Sequence, residues 1–159
     1  ILVEDSNAGY EFFEFVAEDK YWTTISAGGK SNICKMIKGY EDKKILIIAD
    51  GAAFGPEMDT VMKKINLSNG MAIYLPESFE WLILKSDVIR DKDIAEVLDH
   101  PSDFIESKEY MSWERFFTAL LVDKTKDTYL RYSKSKLNDT YKNKRIQEKI
   151  LREIPDQLL

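Results

Sequence analysis

The feature that most constrains this chain is the run Ile45-Leu46-Ile47-Ile48-Ala49, five consecutive apolar residues between the charges of Lys44 and Asp50. A strand wetted on one side alternates polar with apolar residues, whereas a short continuous run rich in β-branched residues suits a parallel strand covered on both faces. Parallel neighbours are joined by crossovers, so helices must alternate with strands around this one. The first half of the chain has that order. Ile1–Val3 reads as a strand, the turn-prone Asp5-Ser6-Asn7 follows, and Tyr10, Phe13 and Ala17 recur at helical spacing, with Phe12, Phe15 and Val16 widening the stripe. Tyr21–Ile25 reads as a second strand, broken by Ala27-Gly28-Gly29, after which Ser31 is placed to cap a helix carrying Ile33, Met36 and Ile37 and ending at Gly39. After the central run, Gly51 to Pro56 lead into a helix with Met58, Val61, Met62 and Ile65. Ser68-Asn69-Gly70 turns into a fourth strand, Met71–Leu75, and Pro76 opens a helical turn through Phe79, Trp81, Leu82 and Leu84. The expectation is an α/β domain, residues 1–87, built on a Rossmann-like parallel sheet of about four strands with flanking helices.

Beyond Asp87 no β-rich run appears. Ile94, Val97 and Leu98 form one stripe, and Trp113, Phe116, Phe117, Leu120 and Leu121 a stronger one. Tyr129–Tyr132 and Ile146, Ile150 and Leu151 complete the series. Every candidate element here reads as helix, and no linker-like composition intervenes. Residues 88–159 are therefore expected to be a helical extension packed on the sheet domain. At 159 residues and 44% apolar composition the chain can bury a core, and its apolar runs are far too short to cross a bilayer. One cysteine, Cys34, excludes an internal disulfide framework, and no secretory pattern is present, so a reducing cytoplasm is the expected compartment. Opening at Ile1, inside a strand and without Met, the sequence predicts a preceding segment.

Charge is divided unevenly. The net charge is −5, but residues 124–152 hold ten Lys or Arg against three Asp or Glu, a local +7 on a body that carries −12. Within that basic stretch Lys134, Lys136, Lys142, Lys144 and Arg145 interleave with tyrosines, a pattern suited to nucleic acid or an acidic protein partner.

Ligands of open parallel sheets bind at the carboxyl ends of the strands. Glu4 closes the first strand and Asp50 the third, and if those strands are neighbours, the two carboxylates share one crevice and suit Mg²⁺ or Mn²⁺. Glu80, beside the helix start after the fourth strand, is a third candidate ligand; the competing reading is a surface acid stabilised by the helix dipole. At the second strand end, Gly28, Gly29, Lys30 and Ser31 place backbone N–H groups and a cation where a phosphate would be held, without the glycine spacing of a Walker loop. Cys34, among Ile33, Met36 and Ile37, reads as a packed side chain, and His100, before Pro101, has no metal-ligand partners in sequence. Trp113, Phe116 and Phe117 fit a core stripe better than a base-stacking platform.

In this order the residues resemble the Toprim fold of topoisomerases, primases and overcoming-lysogenisation-defect (OLD) nucleases. The resemblance covers about residues 1–84. It rests on Leu2-Val3-Glu4, on Ala27-Gly28-Gly29-Lys30-Ser31-Asn32, on the central strand ending in Asp50 with Gly51 and Gly55 after it, and on Glu77-Ser78-Phe79-Glu80-Trp81. It implies that Glu4 is a catalytic or metal-polarising glutamate, that Asp50 is the first carboxylate of an Asp-x-Asp metal motif, and that nucleic acid is the substrate of a nuclease-like phosphotransfer. OLD-like proteins also accompany ATPases, which implies an ATPase domain or subunit as partner. The second aspartate is replaced by Ala52, with Glu57 and Asp59 the nearest acids. The alternative implied is a non-catalytic binding or signalling module of the same fold. Ile1-Leu2-Val3-Glu4-Asp5-Ser6 with Asp50 also resembles a response-regulator receiver, but Pro76 stands where that family has a small hydroxyl residue, and a fifth strand ending in lysine is missing from the pattern.

Overall fold

A computed structural model describes residues 1–40, 42–51 and 55–158. Four strands, β1 (Leu2–Val3), β2 (Ile25–Ser26), β3 (Ile45–Ile48) and β4 (Met71–Tyr74), form one parallel sheet in the order β2-β1-β3-β4. In register, Val3 stands between Ser26 and Ile48, and Ile48 faces Tyr74. The fold is Rossmann-like α/β, with helices on both faces of the sheet.

Alternation along the strands sorts the core into two layers. Val3, Leu46 and Ile48 point to one face, where they meet α1 (Ala8–Asp19) through Phe12, Phe13 and Val16 and α4 (Phe79–Lys85) through Phe79, Leu82 and Ile83. Leu2, Ile47 and Ala49 point to the other face, against Ile33 of α2 (Lys30–Met36), Ile37 in the turn after it, and Val61 of α3 (Met58–Asn66). Both faces of β3 are thus covered, as its continuous apolar run requires.

Among the described residues the remaining α-helices are α5 (Lys92–Asp99), α6 (Ser107–Tyr110), α7 (Trp113–Thr125) and α8 (Lys144–Leu151). They do not form a separate core. Ile94, Val97, Phe116, Phe117, Leu121, Tyr141, Ile150 and Ile154 join the same cluster as Val3 and Phe12. The cause is α4, whose Phe79, Leu82, Ile83 and Leu84 are all buried. A helix apolar nearly all round must be covered on more than its sheet side, and α7 and α8 pack against it there.

Four local expectations are corrected. Tyr21–Thr24 is not strand: the Trp22 N–H donates to the Ala17 carbonyl (3.0 Å) and the Tyr21 N–H to that of Glu18 (3.3 Å), with Tyr21 left-handed at φ 56°. These are the bonds of a Schellman cap. The end of α1 therefore consumes half of the aromatic and β-branched run, leaving only Ile25–Ser26 to pair with β1. Ser31 lies inside α2 and does not cap it; Gly29 holds the N-cap position. The helix expected from Pro76 begins at Phe79, because the Ser78 hydroxyl accepts the Trp81 N–H (3.1 Å). Tyr129–Tyr132 is a turn and extended segment held by non-helical bonds, among them the Tyr141 hydroxyl on the Leu130 carbonyl (2.7 Å).

Candidate functional site

The chain passes from β1 to β2 on one side and then back to β3 on the other, so successive connections diverge between β1 and β3. Such a switch point opens a crevice at the carboxyl ends of the two strands. Glu4 and Asp50 stand there. The Glu4 N–H continues the ladder to the Ile48 carbonyl (3.1 Å), and the Asp50 N–H donates to Glu4 Oε2 (3.1 Å). The Lys30 backbone N–H also bonds the Glu4 carboxylate. Gly51 ties the Asp50 end of β3 to its neighbour, its N–H donating to the Pro76 carbonyl at 2.6 Å. A Cβ at Gly51 would lie 2.9 Å from the Leu75 carbonyl oxygen, so a side chain at this position would push the strand ends apart.

Glu80 enters from α4. Capping by Ser78 starts the helix so that Glu80 falls in its first turn, where it is only 2% exposed. This overturns the surface-acid reading. Its Oε1 accepts the Tyr132 hydroxyl at 2.8 Å. Tyr132 is fixed in turn by its N–H on Thr125 Oγ1 (3.0 Å) and by an edge contact with the Tyr141 ring. Two residues on, the Lys134 carbonyl accepts the Ala8 N–H (3.0 Å), while the ammonium pairs with Glu114. The Leu137 N–H reaches Glu11 Oε2 (3.1 Å). The segment after α7 is therefore laced to the start of α1 and closes one side of the crevice.

The result is a cavity of about 30 Å³ whose polar lining includes Glu4, Asp5, Asp50, Glu80, Tyr132 and Lys134, with Phe13 and Phe79 among its apolar walls. Its volume suits a water molecule or a bare ion. Burial, then the charges of Glu80 and Glu4, push the Asp50 carboxyl up to about 8, although Lys134 acts in the opposite direction. Burial also raises Glu4, against the lowering effect of the Asp50 amide. The Tyr132 hydroxyl is raised by burial and by Glu80 beside it.

Of the residues singled out from sequence, Glu4, Asp50, Glu80 and Lys134 line this one pocket. Gly28, Gly29, Lys30 and Ser31 lie next to it: the Gly29 N–H donates to the Glu4 carbonyl (2.7 Å), both glycines have positive φ, and Asn32 pins the loop through the Ala27 carbonyl (3.1 Å). The Lys30 amide, which a phosphate would use, serves the Glu4 carboxylate. The five basic residues are not alike. Lys134 lines the acidic pocket with its ammonium on Glu114, Lys142 pairs with Asp139 (2.8 Å) and lies over the Phe15 ring, Lys144 pairs with Asp19 (3.3 Å), and Lys136 and Arg145 are exposed.

The sequence pattern does not assign Asp5, Tyr132 or Lys134 to this pocket. Asp5 adjoins Glu4 and was open to inference; nothing in the periodicity marks Tyr132 or Lys134, which lie on irregular chain. Ala52 lies outside the described residues, and Glu57 and Asp59 are not among the residues lining the pocket. Cys34 packs against the second core layer, His100 is exposed, and Phe116 and Phe117 are buried. Among the described residues no group of three or more His, Cys, Asp or Glu is arranged to hold a metal ion, and no helix is long and apolar enough to cross a membrane.

No protein-family model matches the chain, and no curated protein or solved structure is detectably similar to it.

Proposed function

We propose that the chain is a Toprim-like domain that holds Mg²⁺ or Mn²⁺ through Glu4 and Asp50, backed by Glu80, for nuclease-like phosphotransfer on nucleic acid. The observation that carries this reading is the meeting of four carboxylates, Glu4, Asp5, Asp50 and Glu80, in one pocket at the switch point, where burial first and the neighbouring acids second push Asp50 up to about 8. Acids forced together out of water gain most from an added cation. The donor set fits a hard ion: all its ligands are oxygens, and Mg²⁺ needs only one or two carboxylates, taking its other ligands from water and substrate phosphate. Glu80 keeps one oxygen beyond its bond with Tyr132.

A bound ion would polarise the phosphorus centre and lower the pKa of its water. The chain's own groups prepare the place. Two backbone amides orient Glu4, Asp50 gives up its proton on ligating, and Lys134 adds a fixed positive charge beside the acids. Gly28, Gly29, Lys30 and Ser31 border the pocket where the backbone of a phosphodiester would pass. An ATPase domain or subunit remains the partner that the OLD-like resemblance suggests.

A second reading, a non-catalytic binding or signalling module, is favoured by Lys134, which already offsets part of the acidic charge, and by the finding that no three His, Cys, Asp or Glu among the described residues are arranged to hold a metal ion. Calorimetric titration of Mg²⁺ and Mn²⁺ into the native chain and Asp50→Ala, paired with cleavage of a labelled oligonucleotide, tests both. Saturable binding lost in Asp50→Ala with cleavage supports the first reading, and binding without cleavage supports the second. Equal heats in the two proteins eliminate the metal site.

A further inference from the structure

Beyond the acidic pocket, the last turn of α4 with α5 and α8 borders a groove of about 900 Å³, within the size range of small-molecule sites. Trp81, Leu84, Ile89, Ile94 and Leu98 supply its apolar surface, and Trp81, Ile89 and Leu98 are only half-buried. Apolar surface is therefore left to water inside a concavity.

The charges around it are unequally committed. Asp91 is paired with Lys124 (2.8 Å), Glu153 with Lys85 (3.4 Å), and the Lys149 ammonium donates to the Asp87 carbonyl (3.0 Å). Lys85 also lies over the Trp81 ring, 4.7 Å from its centre. What remains exposed is Arg90, Lys92 and Arg152 against the carboxylates of Asp87 and Asp99. On a chain of net charge −5, this groove is locally positive.

We infer that the groove binds a small amphipathic anion, its carboxylate or phosphate head on Arg90 and Arg152 and its apolar body along Trp81 and Leu98. Guanidinium groups match both heads by planar, paired hydrogen bonds. The apolar floor accounts for the body, which a purely ionic ligand would leave unused. This site is independent of the phosphotransfer reading, since none of its lining residues belongs to the acidic pocket.

The test uses laurate and dodecyl phosphate below their critical micelle concentrations, with dodecyltrimethylammonium as the oppositely charged control, titrated into the full chain by calorimetry. One-to-one binding of either anion without saturable binding of the ammonium supports the site, and the anion that binds more tightly identifies the head. Arg90→Glu with Arg152→Glu should weaken binding about tenfold or more, as loss of charge-assisted bonds predicts. Ala95→Trp, at an exposed groove position on α5, should block it. Lys136→Glu with Arg145→Glu, the same charge change outside the groove, should leave it intact, as should Asp50→Asn. The inference is overturned if neither anion saturates, if the ammonium binds equally well, or if the two double variants weaken binding alike.

Discussion

Replacing Asp50 by Asn should stabilise the protein, and more so as the pH rises. The Asp50 carboxyl, ordinarily near 3.8, is raised to about 8 by burial and by Glu80 and Glu4. Between these values the folded chain keeps a proton that the unfolded chain has lost, so native stability falls as pH rises through the window and the loss is complete above the folded value. Each unit is worth about 1.4 kcal/mol, which makes a ceiling of roughly 6 kcal/mol for the whole interval. Asp50 retains some exposure at the pocket mouth, and screening there reduces the expected effect to about 2–4 kcal/mol. That is a large share of the roughly 5–15 kcal/mol typical of a domain. Asn keeps the shape without the charge. Urea denaturation with EDTA present, at half-unit steps from pH 4 to 9, should show the two proteins nearly equal at pH 4. The variant should then gain progressively and level off near pH 8 to 9, with a melting temperature higher on the order of 10 °C at the alkaline end. A difference independent of pH, or a variant less stable than the native chain at pH 9, would refute the electrostatic account of the pocket.

Tyr132→Phe removes the hydroxyl donated to buried Glu80 and should cost about 1–3 kcal/mol in urea denaturation; a loss below about 0.5 kcal/mol would place that bond outside the energetics of the fold. Gly51→Ala brings a Cβ against the Leu75 and Pro76 carbonyls and should cost about 1–3 kcal/mol, with amide shifts at the β3 and β4 ends visible by NMR. Ser78→Ala deletes the α4 cap and should lower stability by about 1 kcal/mol, read from thermal unfolding.

How much of this was legible differs from place to place. The parallel sheet could be read because the run ending at Asp50 has few other ways to bury all its apolar side chains. The strand ends then pointed to Glu4 and Asp50, and the order β2-β1-β3-β4 supplies the adjacency that sequence left conditional. Tyr21 and Trp22 misled because strand propensity and a helix cap compete for the same residues, and the cap completes two bonds from the end of α1. Tyr129–Tyr132 has no periodicity that distinguishes a short helix from a strap anchored by Thr125 and Tyr141. For Glu80, a candidate ligand, the competing surface-acid reading stays open in sequence because a carboxylate in a first helical turn usually faces water and its hydrogen-bond partner is a tyrosine 52 residues away. Composition groups Lys134 with the neighbouring bases, although its partner, Glu114, lies on α7, 20 residues earlier.

The two halves of the chain are coupled through that same strap. The sheet alone places Glu4 and Asp50 at one rim, but a carboxyl at an open rim is solvated and titrates near its ordinary value. The rise at Asp50 has burial as its first cause, and part of the enclosure comes from Tyr132 and Lys134, supplied by the segment after α7. That segment is held where it is by Thr125 at the end of α7, by Tyr141, and by the start of α1. α7 is held in turn because α4 needs apolar cover on its outer side. One packing requirement, the burial of a helix apolar nearly all round, thus sets both the shared core and the polarity of the pocket, so a change that loosens α7 from α4 should lower the Asp50 pKa without touching a residue of the site.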